Sequence, residues 1–258
     1  MINSENGFIT ATSKKERIVS FLWQHLLLVC SLFIMTLGVA VCVRSNFGSS
    51  VISSIPLAMT LAGAEGKAPG LTIGDYTNIM NIVLVFGQIL ILRRRFEKMQ
   101  LFQLIIGFLF GFLLDVNMYL TSSVICDTLL TKSAAQLAGC LILGLGIAFE
   151  IRCGSVTMPG EGFPAAISKA GGIPFAKAKI CVDISLVVIA VILGYAYFGK
   201  WLWNVVGPGT LFAMFFVGMV VRVLDKHMGW FDRLLHYRPG FRRYLFGLAR
   251  YLYSKVNR

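Results

Sequence analysis

Hydrophobic positions along the chain fall into six long runs parted by short polar stretches. The runs cover about Phe21–Val43, Thr72–Leu92, Leu101–Leu120, Ala134–Ile151, Ala176–Tyr197 and Val205–Leu224. Several reach the roughly 20 residues that cross a ~30 Å hydrocarbon core. No ten-residue alternation of the kind a barrel strand needs is present. The pattern predicts an all-α polytopic membrane protein. Two stretches break it: Asn46–Gly63, rich in Ser, Gly and Pro, and a second through Gly154, Pro159, Gly160, Gly162 and Pro164. Both predict re-entrant or half-helical elements, which are tolerated at membrane depth only within protein or against water.

The breaks are related. Adding 108 carries Leu37, Gly38, Ala40, Arg44, Pro56 and Ala58 onto Leu145, Gly146, Ala148, Arg152, Pro164 and Ala166 without a gap, six identities over 22 positions. Further on, Gly111 falls on Gly218 and Asp115 on Arg222 with a shift of 107, and Asn81 falls on Asp183 once the Ala64–Pro69 insertion is removed. The expectation is six transmembrane helices as two three-helix repeats, each with a broken segment after its first helix. Three spans is an odd number, so the repeats run inverted to each other. The chain divides into an N-terminal segment 1–19, repeat 1 at 20–121, repeat 2 at 134–224 and a basic amphipathic tail at 225–258.

Composition agrees: 57% of the 258 residues are hydrophobic and 14% charged, with a mean hydropathy of +0.75. A soluble domain rarely keeps so little polar surface. The net charge of +12 sits in loops and the tail, as the positive-inside rule requires, and without a recognition module it does not point to nucleic acid. With both breaks re-entrant, 20 of the 24 Lys and Arg lie on the side that holds both termini. That side is expected to be the cytoplasm of a bacterial cell, and the tail to lie on anionic lipid. The six cysteines form no CxxC pair and the three histidines are scattered, so neither metal nor cofactor is expected. Residues 1–19 lead into a run longer than a signal-peptide core, which reads as a retained first span.

With these features on hand, the chain resembles the YczE/YitT-like bacterial integral membrane proteins, closest to the YczE side. The likeness rests on Ile73-Gly74 within LTIGDY, on the Pro159-Gly160-Glu161-Gly162-Phe163-Pro164 turn, and on Gly207-Pro208-Gly209-Thr210. It covers roughly Leu27–Leu224. The resemblance implies fold and membrane location more than activity. The first break departs from it, carrying no acid where the second has Glu161.

Ionisable groups within spans are costly and are candidate functional residues. Asp75, Asn78 and Asn81 share one face of the second span. They either line a pathway or hydrogen-bond neighbouring helices. Glu161 is either a ligand in the broken turn or a solvated loop carboxylate. Asp183 is either a pathway group or a structural partner of Lys179 or Arg152. Arg44 and Arg152 complement the C-terminal dipoles of equivalent helices, snorkel, or hold an anion. Inversion places Asp115 near the outer end, where it is expected to seek Arg44. It brings Arg152 and Arg222 together at the inner end, in need of an anion from Glu150, Glu161, Asp183, a lipid phosphate or a solute. Gly144 and Gly146 predict a helix-packing face.

No nucleophile–base pair, metal motif or nucleotide loop is present, and no enzyme is expected. The leading expectation is a transporter or permease for a small polar solute, anionic solutes included, with its site between the two breaks. The alternative is a non-transporting partner or scaffold subunit. Either is compatible with an oligomer.

Overall fold

The structure, a computed structural model, describes residues 14–153 and 157–235. These form α1 (Lys14–Arg44), α2 (Ser54–Ala64), α3 (Ile73–Leu92), α4 (Phe102–Leu120), α5 (Leu129–Cys153), α6 (Pro159–Gly171), α7 (Phe175–Phe198), α8 (Pro208–Asp225) and α9 (Gly229–Leu235). Among the described residues there is no strand. Six helices, α1, α3, α4, α5, α7 and α8, are long and apolar enough to cross a membrane. The protein is an all-α polytopic membrane protein.

Boundaries differ from the hydropathy pattern where local chemistry intervenes. α1 begins at Lys14, so it takes in the last residues of the expected 1–19 segment; residues 1–13 lie outside the described residues. α5 starts at Leu129, five residues ahead of the apolar run. Thr128 and Thr131 cap it reciprocally, each backbone N–H donating to the other's hydroxyl at 3.1 and 3.2 Å, which satisfies amides that a helix start leaves open. The expected turn at Pro159–Pro164 is instead the opening of α6. Pro159 at its first position presets φ and lacks only an N–H the helix does not use there. Of the expected amphipathic tail, α9 is described, and residues 236–258 lie outside the described residues.

Contacts at the helix ends fix the directions. The C-terminal ends of α1 and α4 meet through Arg44 Nη2 and the Met118 carbonyl, 2.8 Å apart. The start of α5 joins the end of α1 through Ser45 and Gln136, 2.8 Å apart. Gly74 at the start of α3 meets Asp115 near the end of α4. At the opposite end, Arg152 of α5 meets Asp225 of α8, and Gln88 of α3 meets Gln103 of α4 at 2.9 Å. Lys67, ahead of α3, lies over the ring of Phe198 that ends α7. So α1, α4 and α7 run one way, and α3, α5 and α8 the other. The segment holding α2 leaves and returns at the Arg44 end, and the segment holding α6 at the Arg152 end.

Packing is organised around the α1–α5 pair, where glycines let the two backbones approach. A Cβ on Gly38 would lie 2.7 Å from Leu143 Cα, and one on Gly146 would lie 2.8 Å from Met35 Cα. These two contacts are reciprocal under the 108-residue shift, as in an isologous interface. Gly144, on the same helix, packs against Val220 of α8; the expected small-residue face is used for packing. α4 lies on α1 and α8 on α5, while α3 and α7 flank the short helices α2 and α6. The main apolar cluster, including Leu32, Val39, Phe110, Leu114 and Leu143, follows the α1–α4–α5 side. A smaller one, Val51, Met80, Leu84, Val182 and Leu186, sits between α3 and α7.

Gly38→Val should lower thermal stability in detergent by about 2 kcal/mol or more, since overpacking against backbone cannot relax by a rotamer change. Gly218→Ala, where an added Cβ meets nothing within 4 Å, should leave the melting temperature unchanged; equal stability of the two variants would contradict this packing.

Candidate functional site

The first break is held by local bonds, among them one from the Phe47 N–H to Ser45 Oγ at 3.2 Å, and by partners from the second half of the chain. Beyond Arg44 the backbone turns through Asn46 at φ 51° and Gly48 at φ 123°. Gly48 is required twice over: its φ favours glycine, and a Cβ would sit 2.7 Å from Thr210 Oγ1. The Gly209 N–H donates to the Phe47 carbonyl at 2.9 Å, and the Ser49 N–H donates to the Val205 carbonyl at 3.0 Å. Gln136 Nε2 donates to the Gly209 carbonyl at 2.9 Å while its Oε1 accepts from Ser45. Ser49, Ser50, Ser53 and Ser54 are all buried. Hydropathy gave no hint of Gln136, which is 2% exposed.

The second break is tied by acids instead. Glu150 is buried, and its Oε1 accepts the Met158 N–H at 3.1 Å, clasping the two sides of the break. Arg152 forms ion pairs with Asp225, at 2.7 Å, and with Asp232 of α9. The expected pairing of Arg152 with Arg222 around one anion is therefore corrected. Carboxylates at the end of α8 and in α9 are within reach of the α5 terminus, and they neutralise Arg152 without a ligand.

The two broken segments enter from opposite ends and meet, with Ile52 against Gly160. These two positions are themselves related by the 108-residue shift. Beside that meeting point Lys179 of α7 sits between two carboxylates, Asp183 at 3.0 Å and Glu161 at 3.3 Å. The i,i+4 spacing puts Lys179 and Asp183 on one face of α7, and Glu161 in the first turn of α6 is favoured by that helix's dipole. Asp183 thus has Lys179, not Arg152, as its partner. Two carboxylates and one ammonium leave the triad one negative charge in excess.

The triad opens on a cavity of about 610 Å³ between α7 and α8, floored by α1 and α5. Its lining is mostly apolar, and its charged groups are Glu161, Lys179, Asp183 and Arg222. Arg222 has no ion pair among the described residues. A concave, largely apolar site with a few convergent polar groups is the usual form of a small-molecule site.

The remaining candidates lie elsewhere. Asp75 is exposed and belongs to the capping box of α3: its Oδ2 accepts the Thr72 N–H at 3.1 Å and its own N–H donates to Thr72 Oγ1 at 3.0 Å. Asp115 does not pair with Arg44. Thr72 Oγ1 and the Gly74 N–H donate to its two carboxylate oxygens at 2.7 and 2.9 Å, because the close α3–α4 approach brings donors nearer than the end of α1. Arg44 instead donates to a C-terminal carbonyl of α4, the helix-terminus role expected of a cation. Asn78 and Asn81 face Gly111 and Gly107 of α4.

The chain belongs to the family described as a family of unknown function (DUF6198), whose model matches residues 22–226. That range runs from the start of the first apolar run to just beyond α8. No curated protein and no solved structure matches this chain.

Removing one member of a buried ion cluster leaves the others uncompensated, at a cost of about 3–5 kcal/mol. Lys179→Met should therefore destabilise the protein by about 3 kcal/mol, and adding Glu161→Gln with Asp183→Asn should recover more than half of that. A triple variant less stable than Lys179→Met alone would contradict the triad.

Proposed function

We propose that the protein is a secondary carrier of the bacterial cytoplasmic membrane, moving a small polar solute through the cavity between α7 and α8. One observation carries the reading: the cavity reaches the point where the two broken segments meet, and its lining carries Lys179, Asp183, Glu161 and Arg222. Discontinuous helices that meet within the bundle are the architecture from which carriers build sites near the midplane. Arg222, lacking a protein counter-ion among the described residues, suits an anionic group on the solute. The opposed directions of α1, α3, α4 and α5, α7, α8 support two inverted repeats. So do the reciprocal Gly38–Leu143 and Gly146–Met35 contacts. Kinship with the YczE/YitT-like proteins and a cytoplasmic placement of the Arg152 end are parts of the same proposal, the latter resting on the 20 of 24 basic residues assigned to that side.

Proteoliposomes holding only this chain, offered radiolabelled small carboxylates, inorganic phosphate and amino acids, should take up at least one of them saturably. Arg222→Gln should reduce that uptake at least tenfold while insertion is unchanged. Folded protein that takes up none of them would sink the carrier reading in favour of the partner-subunit one.

A further inference from the structure

The two halves of the chain use equivalent positions in opposite ways. In the first half, α3 and α4 are sealed together. Gly74 abuts Asp115, so that an added Cβ would lie 2.6 Å from its Cγ. Asn78 fills the space beside Gly111, and Asn81 that beside Gly107. Asp115 latches the seam through Thr72 and Gly74. In the second half α7 and α8 scarcely touch, and the cavity lies between them.

Repeat equivalence carries Gly74, Asn78 and Asn81 of α3 onto Ala176, Ile180 and Asp183 of α7. It carries Gly107, Gly111 and Asp115 of α4 onto Met214, Gly218 and Arg222 of α8. All six of the second set line the cavity. Gly218 shows the difference most plainly, since a Cβ there meets only open space, whereas one on Gly111 would collide with Asn78.

The sealed seam also contains polar atoms with nothing to bind. Asn81 is 2% exposed, and its Nδ2, like the Oδ1 of Asn78, has no hydrogen-bond partner among the described residues. Buried amide groups left unpaired are costly, more so where no water can reach them. Such groups are explained if the surface that carries them is wet part of the time.

We infer that the α3–α4 seam is the other half of the solute path, closed here, and that it opens as α7 and α8 close. Asn78 and Asn81 would then face the solute from the Thr72 end as Asp183 and Arg222 face it from the other. Asp115 is the latch. An exchange of packing between two equivalent halves keeps one end shut whenever the other is open, and needs no new contact type, because each half already displays one of the two arrangements. This inference rests on the carrier reading.

Cysteine cross-linking tests it. Ile180→Cys and Gly218→Cys are introduced together into a chain whose exposed Cys30 and Cys181 and half-buried Cys126 are replaced by Ser, and the reconstituted protein is oxidised with copper phenanthroline. These positions are separated by the cavity here, yet their equivalents Asn78 and Gly111 touch. The expected result is an intramolecular disulfide, formed at least threefold faster when Asp115→Asn weakens the latch at the far end. Asn78→Ala, which vacates the Gly111 contact without disturbing the start of α3, serves as a second latch variant and should act in the same direction. No disulfide, or a rate that neither latch variant changes, overturns the proposal. Uptake by a protein that does not cross-link would keep the carrier and discard this gate. Cross-linking without uptake would keep the paired gates and discard the carrier.

Discussion

Non-helical backbone inside a bilayer must find every hydrogen-bond partner within the protein. That constraint accounts for most of the architecture. The first break interrupts the chain at Asn46–Ser50; its Ser49 amide and Phe47 carbonyl are met by Val205 and Gly209, and Gln136 ties Ser45 to Gly209, all three partners coming from the other half of the sequence. The second break is met by Glu150 and flanked by the Arg152 ion pairs. The first half cannot hold its broken segment without the second, whereas the second break is tied by residues of its own half. The glycine-lined α1–α5 contact brings the two halves close enough for the bonds between them to form.

Helices that correspond under the proposed repeat pack with different residues. α3 and α4 close because Gly74, Gly107 and Gly111 leave room for asparagine and aspartate side chains between the backbones. In α7 and α8, Ala176 and Met214 stand in for two of those glycines, and an aspartate and an arginine replace Asn81 and Asp115. The bulkier and more charged pair stands apart and leaves the cavity. Lys179 tethers α7 to α6 instead of to α8, and the cleft keeps Lys179 and Asp183 on its α7 wall and Arg222 on its α8 wall among mostly apolar side chains.

Much of this was legible in the sequence. Six hydrophobic runs became six long helices, and the Gly-, Ser- and Pro-rich stretches marked where short helices α2 and α6 stand in place of full spans. Exchange of charge by position was harder to read. Asp115 and Arg44 sit at the same end, but backbone and hydroxyl donors at the start of α3 are closer to the carboxylate than any guanidinium, and only a three-dimensional helix crossing reveals that. The partners of Arg152 lie 73 and 80 residues downstream, beyond the reach of any local pattern. The capping threonines of α5 were visible as Thr128-x-x-Thr131, a signal that hydropathy alone passes over. Gln136 and the Gln88–Gln103 pair carry no periodicity and are recognisable only by their burial.

In the proposed cycle, the arrangements of the seam and of the cleft are exchanged together. Spin labels at Leu71 and Tyr119 would report on the seam, and labels at Lys177 and Lys226 on the cleft, with distances read by double electron–electron resonance in lipid nanodiscs. Such an exchange gives two distance populations for each pair, with the fraction of widened seam rising in step with the fraction of narrowed cleft when Asp115 is replaced by Asn. A single narrow distribution at both pairs, unmoved by that substitution, would contradict it.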